Sequence, residues 1–117
     1  MSRMRLLKLA ALAAILTLLA LMLGPFGAAE ARIGSDKVGH IVAFAVIAVS
    51  LAILRPRWSL PIIACAAFVI GVAVEIVQSL TGRDAEFADV LANMAGIALA
   101  TWALMSSMAV RFRARIP

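Results

Sequence analysis

The sequence has few of the charged residues that a water-soluble protein carries on its surface. Only 15% of its 117 residues are charged and 65% are hydrophobic, whereas soluble domains average about 25% charged and about 45–50% apolar residues. The chain is therefore too apolar to fold as a water-soluble globule. Aromatic residues are also scarce, at 6%, and no soluble basic face is present. The net charge of +5 therefore does not indicate a nucleic-acid-binding protein.

The sequence also has a single cysteine and no long alternation of polar and apolar residues. Cys65 has no second cysteine to pair with, which excludes an intramolecular disulfide. Because it lies within an apolar stretch, we interpret it as a packed apolar residue. No run of about ten residues alternates between polar and apolar, so nothing favours a membrane β-barrel.

What the chain does contain is long apolar runs. An apolar stretch of about 18–20 residues spans the hydrocarbon core of a bilayer as a helix, and four stretches reach or approach that length. They cover about residues 7–26, 38–54, 60–80 and 88–110. Short loops separate them, which favours antiparallel neighbours. The sequence therefore predicts one all-α membrane domain over residues 1–117, a bundle of four transmembrane helices.

The basic residues are concentrated before or at the start of the first predicted helix, between the second and third, and after the fourth. Eight of the eleven Lys and Arg residues lie there, namely Arg3, Arg5, Lys8, Arg55, Arg57, Arg111, Arg113 and Arg115. The positive-inside rule places such segments in the cytoplasm. We therefore expect both termini to be cytoplasmic and the loops around 27–37 and 81–88 to face outward.

The N-terminal 31 residues have a second interpretation. A basic start, an apolar core and the sequence Ala29-Glu30-Ala31 are also typical of a cleaved signal peptide. The apolar stretch from Leu9 to Ala29 is long for such a core, so we favour a retained first transmembrane helix. Cleavage would leave three helices with the same outward loops.

Three of the predicted helices carry polar residues near their outer ends. The pairs at helical spacing are Asp36 and His40, Glu75 and Gln78, and Asp89 and Asn93. If the third helix ends near Leu80, Glu75 lies roughly 8 Å inside it. Ionised groups that face lipid are costly, so such groups turn inward and pair. We therefore expect one shared polar cluster that opens outward, with Lys37 and Arg83 as neighbouring cations.

The role of this cluster has several interpretations. Glu75 and His40 could form an acid–base pair, or they could only join helices by hydrogen bonds. Arg83 could bind a phosphate or pyrophosphate through its fork of donors, or it could pair with nearby carboxylates. The further candidates for ligand binding are Lys37, Gln78, Asp36, Asp89 and Asn93. A metal site built from His40, Glu75 and Asp89 is disfavoured, because no local spacing such as H-E-x-x-H supports it. We expect no metal and no other cofactor.

The same residues carry a family resemblance. The segments DKVGHIVAF, EIVQSLTGR and FADVLANMAG resemble the pattern D-K-x-x-H-x-x-x-F, E-x-x-Q, Gly-Arg and D-x-x-x-N-x-x-G of the VanZ-like family of small bacterial membrane proteins. The matching positions are Asp36, Lys37, His40, Phe44, Glu75, Gln78, Gly82, Arg83, Asp89, Asn93 and Gly96. The resemblance covers about residues 35–96. It implies a multi-pass protein of the bacterial cytoplasmic (inner) membrane. For function, the resemblance implies only a link to resistance against teicoplanin, a glycopeptide that acts on cell-wall precursors outside the membrane.

The leading hypothesis is a membrane protein with an outward-facing polar pocket. The pocket would bind or modify an anionic amphiphilic molecule of the cell envelope, either a membrane lipid or a lipid-linked cell-wall precursor. One alternative is an acid–base enzyme that acts on a lipid-linked substrate. Another is a structural membrane partner without a ligand. A transporter is disfavoured, because the cytoplasmic half of the helices offers no polar path.

Overall fold

The computed structural model describes residues 1–23, 37–81, 87–106, 111 and 113–116. Within these ranges the chain forms four long α-helices and no strand: α1 (Arg3–Leu23), α2 (Lys37–Leu54), α3 (Leu60–Leu80) and α4 (Phe87–Leu104). All four are long and apolar enough to cross a membrane. The predicted all-α fold with four membrane-spanning helices is confirmed.

The middle helices begin and end within one residue of the predicted positions, whereas the two outer helices differ more. α1 begins at Arg3, four residues before the predicted start, because the hydroxyl of Ser2 accepts a hydrogen bond from the backbone N–H of Arg5 at 3.2 Å and caps the helix. α4 ends at Leu104, six residues before the predicted end. There the N–H of Met105 bonds to two successive carbonyls, a tightening that is typical of a helix end. Residues 24–26 and 107–110 lie outside the described ranges.

Both ends of α3 are defined by local hydrogen bonds. Ser59 is the N-cap, and its hydroxyl accepts from the N–H of Ile62 at 3.4 Å. At the other end Thr81 is the C-cap, with its N–H and its hydroxyl both donated to the carbonyl of Gln78. α3 thus ends at Leu80 as predicted, and Glu75 lies about 7.5 Å from that end along the axis, at 1.5 Å per residue.

α2 and α3 each pack against the other three helices, and the contact between α2 and α4 is the most extensive in the bundle. The side chains of Phe44 and Ile47 on α2 and Ile63 on α3 are fully buried between the helices. Large apolar side chains cover the outer surface, among them Leu16, Val69 and Leu99. This arrangement suits a bundle in lipid, where helix association depends on close packing instead of on the exclusion of water.

Cys65 corrects one prediction. We expected a packed apolar residue, but its side chain is exposed on the outside of α3. Ile63 and Ala67 lie on the buried side of α3 at this turn, so Cys65 lies on the opposite side and faces outward. Cys65 therefore belongs to the apolar outer surface of the bundle.

Two glycines allow the helices to approach closely. A Cβ atom at Gly96 of α4 would overlap the carbonyl oxygen of Ile41 and lie 3.0 Å from the backbone nitrogen of Ala45, both on α2. A Cβ atom at Gly71 of α3 would lie 3.1 Å from the ring of Phe44 and 3.3 Å from the amide nitrogen of Asn93. The contact at Gly96 is the stricter of the two, because it involves backbone atoms that cannot move aside.

Near the end of α2, a C-terminal arginine joins the loop that leads to α3. The guanidinium of Arg113 donates to the carbonyls of Pro56 at 2.9 Å and Trp58 at 2.7 Å, with a longer contact to Arg55 at 3.4 Å. The guanidinium of Arg55 lies over the ring of Trp58, 5.6 Å from its centroid. The C-terminal segment is thus attached to the α2–α3 loop.

The Gly96 contact generates the first prediction. Gly96→Ala should lower the free energy of unfolding by about 1–3 kcal/mol, because the added methyl group forces α4 away from α2. The measurement is unfolding of the purified protein in mild detergent, followed by circular dichroism. Gly39→Ala is the matched control, since a Cβ atom there meets nothing within 4 Å. Equal stability of the two variants would contradict the close approach.

The Arg113 contacts generate the second prediction. Arg113→Ala should destabilise the protein by about 1–3 kcal/mol, because it removes a charged donor from two part-buried carbonyls. Thermal unfolding in detergent measures this loss. Arg115→Ala removes the same charge from an exposed neighbour and should have little effect. If both variants lose the same stability, the effect comes from charge and not from the hydrogen bonds.

Candidate functional site

Five polar side chains meet at the end of the bundle where α2 and α4 begin and α3 ends. We call them the polar cluster: Lys37 and His40 of α2, Glu75 of α3, and Asp89 and Asn93 of α4. All except Lys37 are buried. The predicted meeting of polar residues from three helices is therefore found in the geometry of the bundle.

An ion pair joins the first turns of α2 and α4. The ammonium of Lys37 donates to Oδ1 of Asp89 at 2.6 Å, and 37% of the Lys37 side chain is exposed. Nε2 of His40 lies 3.8 Å from the same oxygen, which is too long for a hydrogen bond but close enough for electrostatic attraction when His40 is protonated. Asp89 also lies in the first turn of α4, where the helix dipole favours a negative charge.

Asn93 connects His40 to Glu75. Its Oδ1 lies 2.9 Å from Nδ1 of His40, and its Nδ2 donates to Oε1 of Glu75 over a longer 3.5 Å. With Oδ1 as the acceptor, Nδ1 of His40 carries the hydrogen. The proposed acid–base pair is therefore linked through the two ends of one amide group, and the side chain of Asn93 is only 2% exposed.

One oxygen of Glu75 stands apart from this network. Oε2 is buried and has no hydrogen-bond partner among the described residues, and Glu75 as a whole is 7% exposed. A buried polar atom without a partner costs about 1–3 kcal/mol, and more when the group is charged. Such an atom in a membrane-spanning helix is a candidate contact for a ligand.

Gln78 contacts α1, and the ligand-binding role predicted for it stays a prediction. Its Nε2 donates to the backbone carbonyl of Met22 at 3.0 Å, in the last turn of α1. The carbonyls of a last helical turn have no partner within their own helix. Gln78 therefore attaches the end of α1 to α3. Sequence patterns gave no signal for Met22, because the acceptor is a backbone atom.

Two of the predicted ligand-binding residues, Asp36 and Arg83, lie outside the described residues, as does Gly82. Their roles stay predictions. Of the remaining family positions, Phe44 is fully buried, and Gly96 allows the contact between α2 and α4. Both therefore serve the packing that brings the polar cluster together.

The metal-site alternative gains no support. Among the residues with a described position, no group of three or more His, Cys, Asp or Glu side chains could hold a metal ion. His40 and Asp89 approach each other, but Glu75 is joined to His40 only through the amide of Asn93.

The central position of Asn93 generates the third prediction. Asn93→Leu should lower the stability of the bundle by about 1–3 kcal/mol, because it removes a hydrogen-bond partner from both His40 and Glu75 inside the membrane. Unfolding in detergent measures the loss, and Met94→Ala serves as the control on the exposed side of the same turn. An Asn93→Leu protein as stable as the control would show that the amide does not hold the helices together.

Comparison with known proteins agrees with this architecture. The family model described as VanZ/LLP1 matches residues 3–110. Neither the curated proteins nor the solved structures contain a match. The family match begins with the first residue of α1 and includes all four membrane-spanning helices and the polar cluster. The protein is thus an integral, multi-pass membrane protein, and the chain belongs to the VanZ/LLP1 family.

Proposed function

We propose that the polar cluster binds, and in one version modifies, an anionic amphiphilic molecule of the bacterial cell envelope. The ligand would be a membrane lipid or a lipid-linked cell-wall precursor. The observation that carries the proposal is the buried oxygen of Glu75, which has no partner among the described residues. A cluster that served only to join helices would need no such group, because each unpaired polar atom in a membrane weakens the bundle.

The charge distribution supports an orientation in which the cluster faces outward. The basic residues near the start of α1 and around the α2–α3 loop lie at the opposite ends of these helices from the cluster. In the cytoplasmic (inner) membrane, which the family resemblance implies, the positive-inside rule predicts that both termini lie in the cytoplasm. The cluster then belongs to the outer leaflet, where envelope lipids and lipid-linked precursors present their head groups.

Lys37 supports an anionic ligand. It is the first residue of α2 and the most exposed member of the cluster, so an anionic group that approaches from the outer interface meets this ammonium first. Lys37 also pairs with Asp89, and an ammonium has three N–H donors that a phosphate and a carboxylate can share. Arg83 is the predicted second cation.

An acid–base enzyme is the second candidate function. The arrangement of His40, Asn93 and Glu75 favours it, because one amide joins an imidazole to a carboxyl group and holds both in fixed orientation. A proton could then move to or from a substrate at either group. In the third candidate function, the cluster only connects the helices and binds no ligand. The following experiment separates this candidate from the first two.

Native mass spectrometry of the full-length protein in mild detergent tests binding. Wild type should retain an anionic lipid or a lipid-linked species, and Lys37→Ala and Arg83→Ala should each weaken its retention about tenfold or more, because a hydrogen bond to a charged group contributes about 1.5–3 kcal/mol. Arg115→Ala, which removes a charge at the far end of the chain, should retain the lipid.

Three other outcomes have distinct meanings. Conversion of the retained species to a product, lost in Glu75→Gln, would favour the enzyme. No selective lipid in any sample would overturn the proposal in favour of the structural role. Equal loss in Arg115→Ala would show that total charge, and not the cluster, attracts the lipid.

A further inference from the structure

We propose that the bound head group donates a hydrogen bond, from a hydroxyl or an ammonium group, to Oε2 of Glu75. This inference rests on the proposed function and specifies the ligand class. The ligand would carry an anionic group together with a donor on the same head group. Amphiphiles with an amine, glycerol or sugar attached to a phosphate belong to this class. Lipids that end in a fully ionised phosphate or in a trimethylated ammonium do not.

The first argument is the placement of the atom. In the parts of the chain that the structure describes, two buried side-chain atoms have no hydrogen-bond partner, Oε2 of Glu75 and Nε of Arg113. Arg113 lies at the loop between α2 and α3, away from the cluster, and its guanidinium already donates to backbone carbonyls. Oε2 of Glu75 is thus the atom of the polar cluster that lacks a partner, and it lies within the bundle and not on its lipid-facing surface.

The second argument is the chemical character of that atom. Asn93 donates to the other oxygen of the same carboxyl group at 3.5 Å. Glu75 is thus the acceptor in its one described side-chain hydrogen bond. A carboxylate accepts through both oxygens and donates through neither. In the ionised form of Glu75, the group that pairs with Oε2 therefore contributes an N–H or an O–H, whereas a protonated Glu75 would itself donate from that oxygen.

The third argument is the balance of charge within the cluster. Lys37 and Asp89 form an ion pair and offset each other. Among the described residues, no Lys, Arg or His forms an ion pair with Glu75, since the two ion pairs of the cluster both end on Asp89. An ionised Glu75 thus leaves one negative charge unbalanced, and an ammonium or hydroxyl of the ligand would stabilise that charge in a medium of low dielectric constant.

The positions of the two charged groups complete the inference. Lys37 lies at the start of α2 with over a third of its side chain exposed, whereas Glu75 is buried about 7.5 Å from the end of α3. An anionic group at Lys37 and a donor at Glu75 would let one head group bind at both places. A ligand with both groups would be selected over one that has the anion alone.

A lipid-exchange experiment with four phospholipids of identical acyl chains tests the inference. Phosphatidylethanolamine offers an ammonium donor and phosphatidylglycerol offers hydroxyl donors. Phosphatidylcholine has a cation without an N–H. Phosphatidic acid has no donor once its phosphate is fully ionised, so all four titrations are run at about pH 8.5, above the second pKa of a phosphate monoester at about 6. The delipidated full-length protein is titrated with each lipid, and the bound fractions are read by native mass spectrometry. The two donor lipids should bind about tenfold more tightly than the other two.

Variants identify the atom responsible. Glu75→Gln keeps the shape and one acceptor oxygen but removes the charge, so it should lose the preference for phosphatidylethanolamine and keep part of the preference for phosphatidylglycerol. Glu75→Leu should lose both preferences. Ser79→Ala is the control, because it removes an exposed hydroxyl from the same helix, one that donates only to the carbonyl of Ile76. It should bind all four lipids as wild type does. Unfolding temperatures of all the variants, measured in parallel, separate lost binding from lost folding.

The possible failures are distinguishable. If phosphatidic acid binds as well as phosphatidylglycerol, and a folded Glu75→Gln protein changes nothing, the donor inference is overturned and the proposed binding of an anionic amphiphile stands. A donor preference that persists in both Glu75 variants would also overturn it. If none of the four lipids binds selectively to wild type, the inference is overturned, whereas the proposed function is decided separately by the species that wild type retains on purification.

Discussion

The amide of Asn93 is the interaction on which the polar end of this bundle depends. One short side chain accepts from His40 on α2 and donates to Glu75 on α3 while it is anchored on α4. Inside a membrane no water replaces a missing partner, so a group that serves two other helices determines how all three are arranged. The ion pair of Lys37 and Asp89 strengthens the same arrangement from the rim.

Such short connections require the helices to be close, and small residues provide that closeness. Gly96 brings the backbone of α4 against that of α2 one turn below Asn93. Gly71 leaves room on α3 for both the ring of Phe44 and the amide of Asn93. Apolar packing and polar bonding thus depend on each other, because a side chain at either glycine would separate the groups that the amide joins.

The two ends of the bundle use their polar residues differently. Near the α2–α3 loop, Arg113 is surrounded by backbone carbonyls and Arg55 lies over an aromatic ring. These contacts hold a loop and a C-terminal segment together. At the other end, acidic and imidazole side chains lie buried beside the partly exposed Lys37, and one carboxyl oxygen is left without a described partner. Buried ionisable groups in a membrane are costly, which is why they indicate function more strongly than the arginines do.

The sequence by itself determined the four spans, since the lengths of its apolar runs predicted α2 and α3 to within one residue, and helical spacing showed that His40, Glu75, Asp89 and Asn93 would lie near one end. Those features depend on local patterns along the chain. Only the tertiary structure decided which atoms meet: that Asn93 lies between His40 and Glu75, that Lys37 pairs with Asp89, and that Gln78 bonds to the carbonyl of Met22. These contacts join residues 18 to 56 positions apart, and their partners follow from the rotation and approach of whole helices. Cys65 shows the same limit, because an apolar stretch does not reveal which of its sides faces lipid.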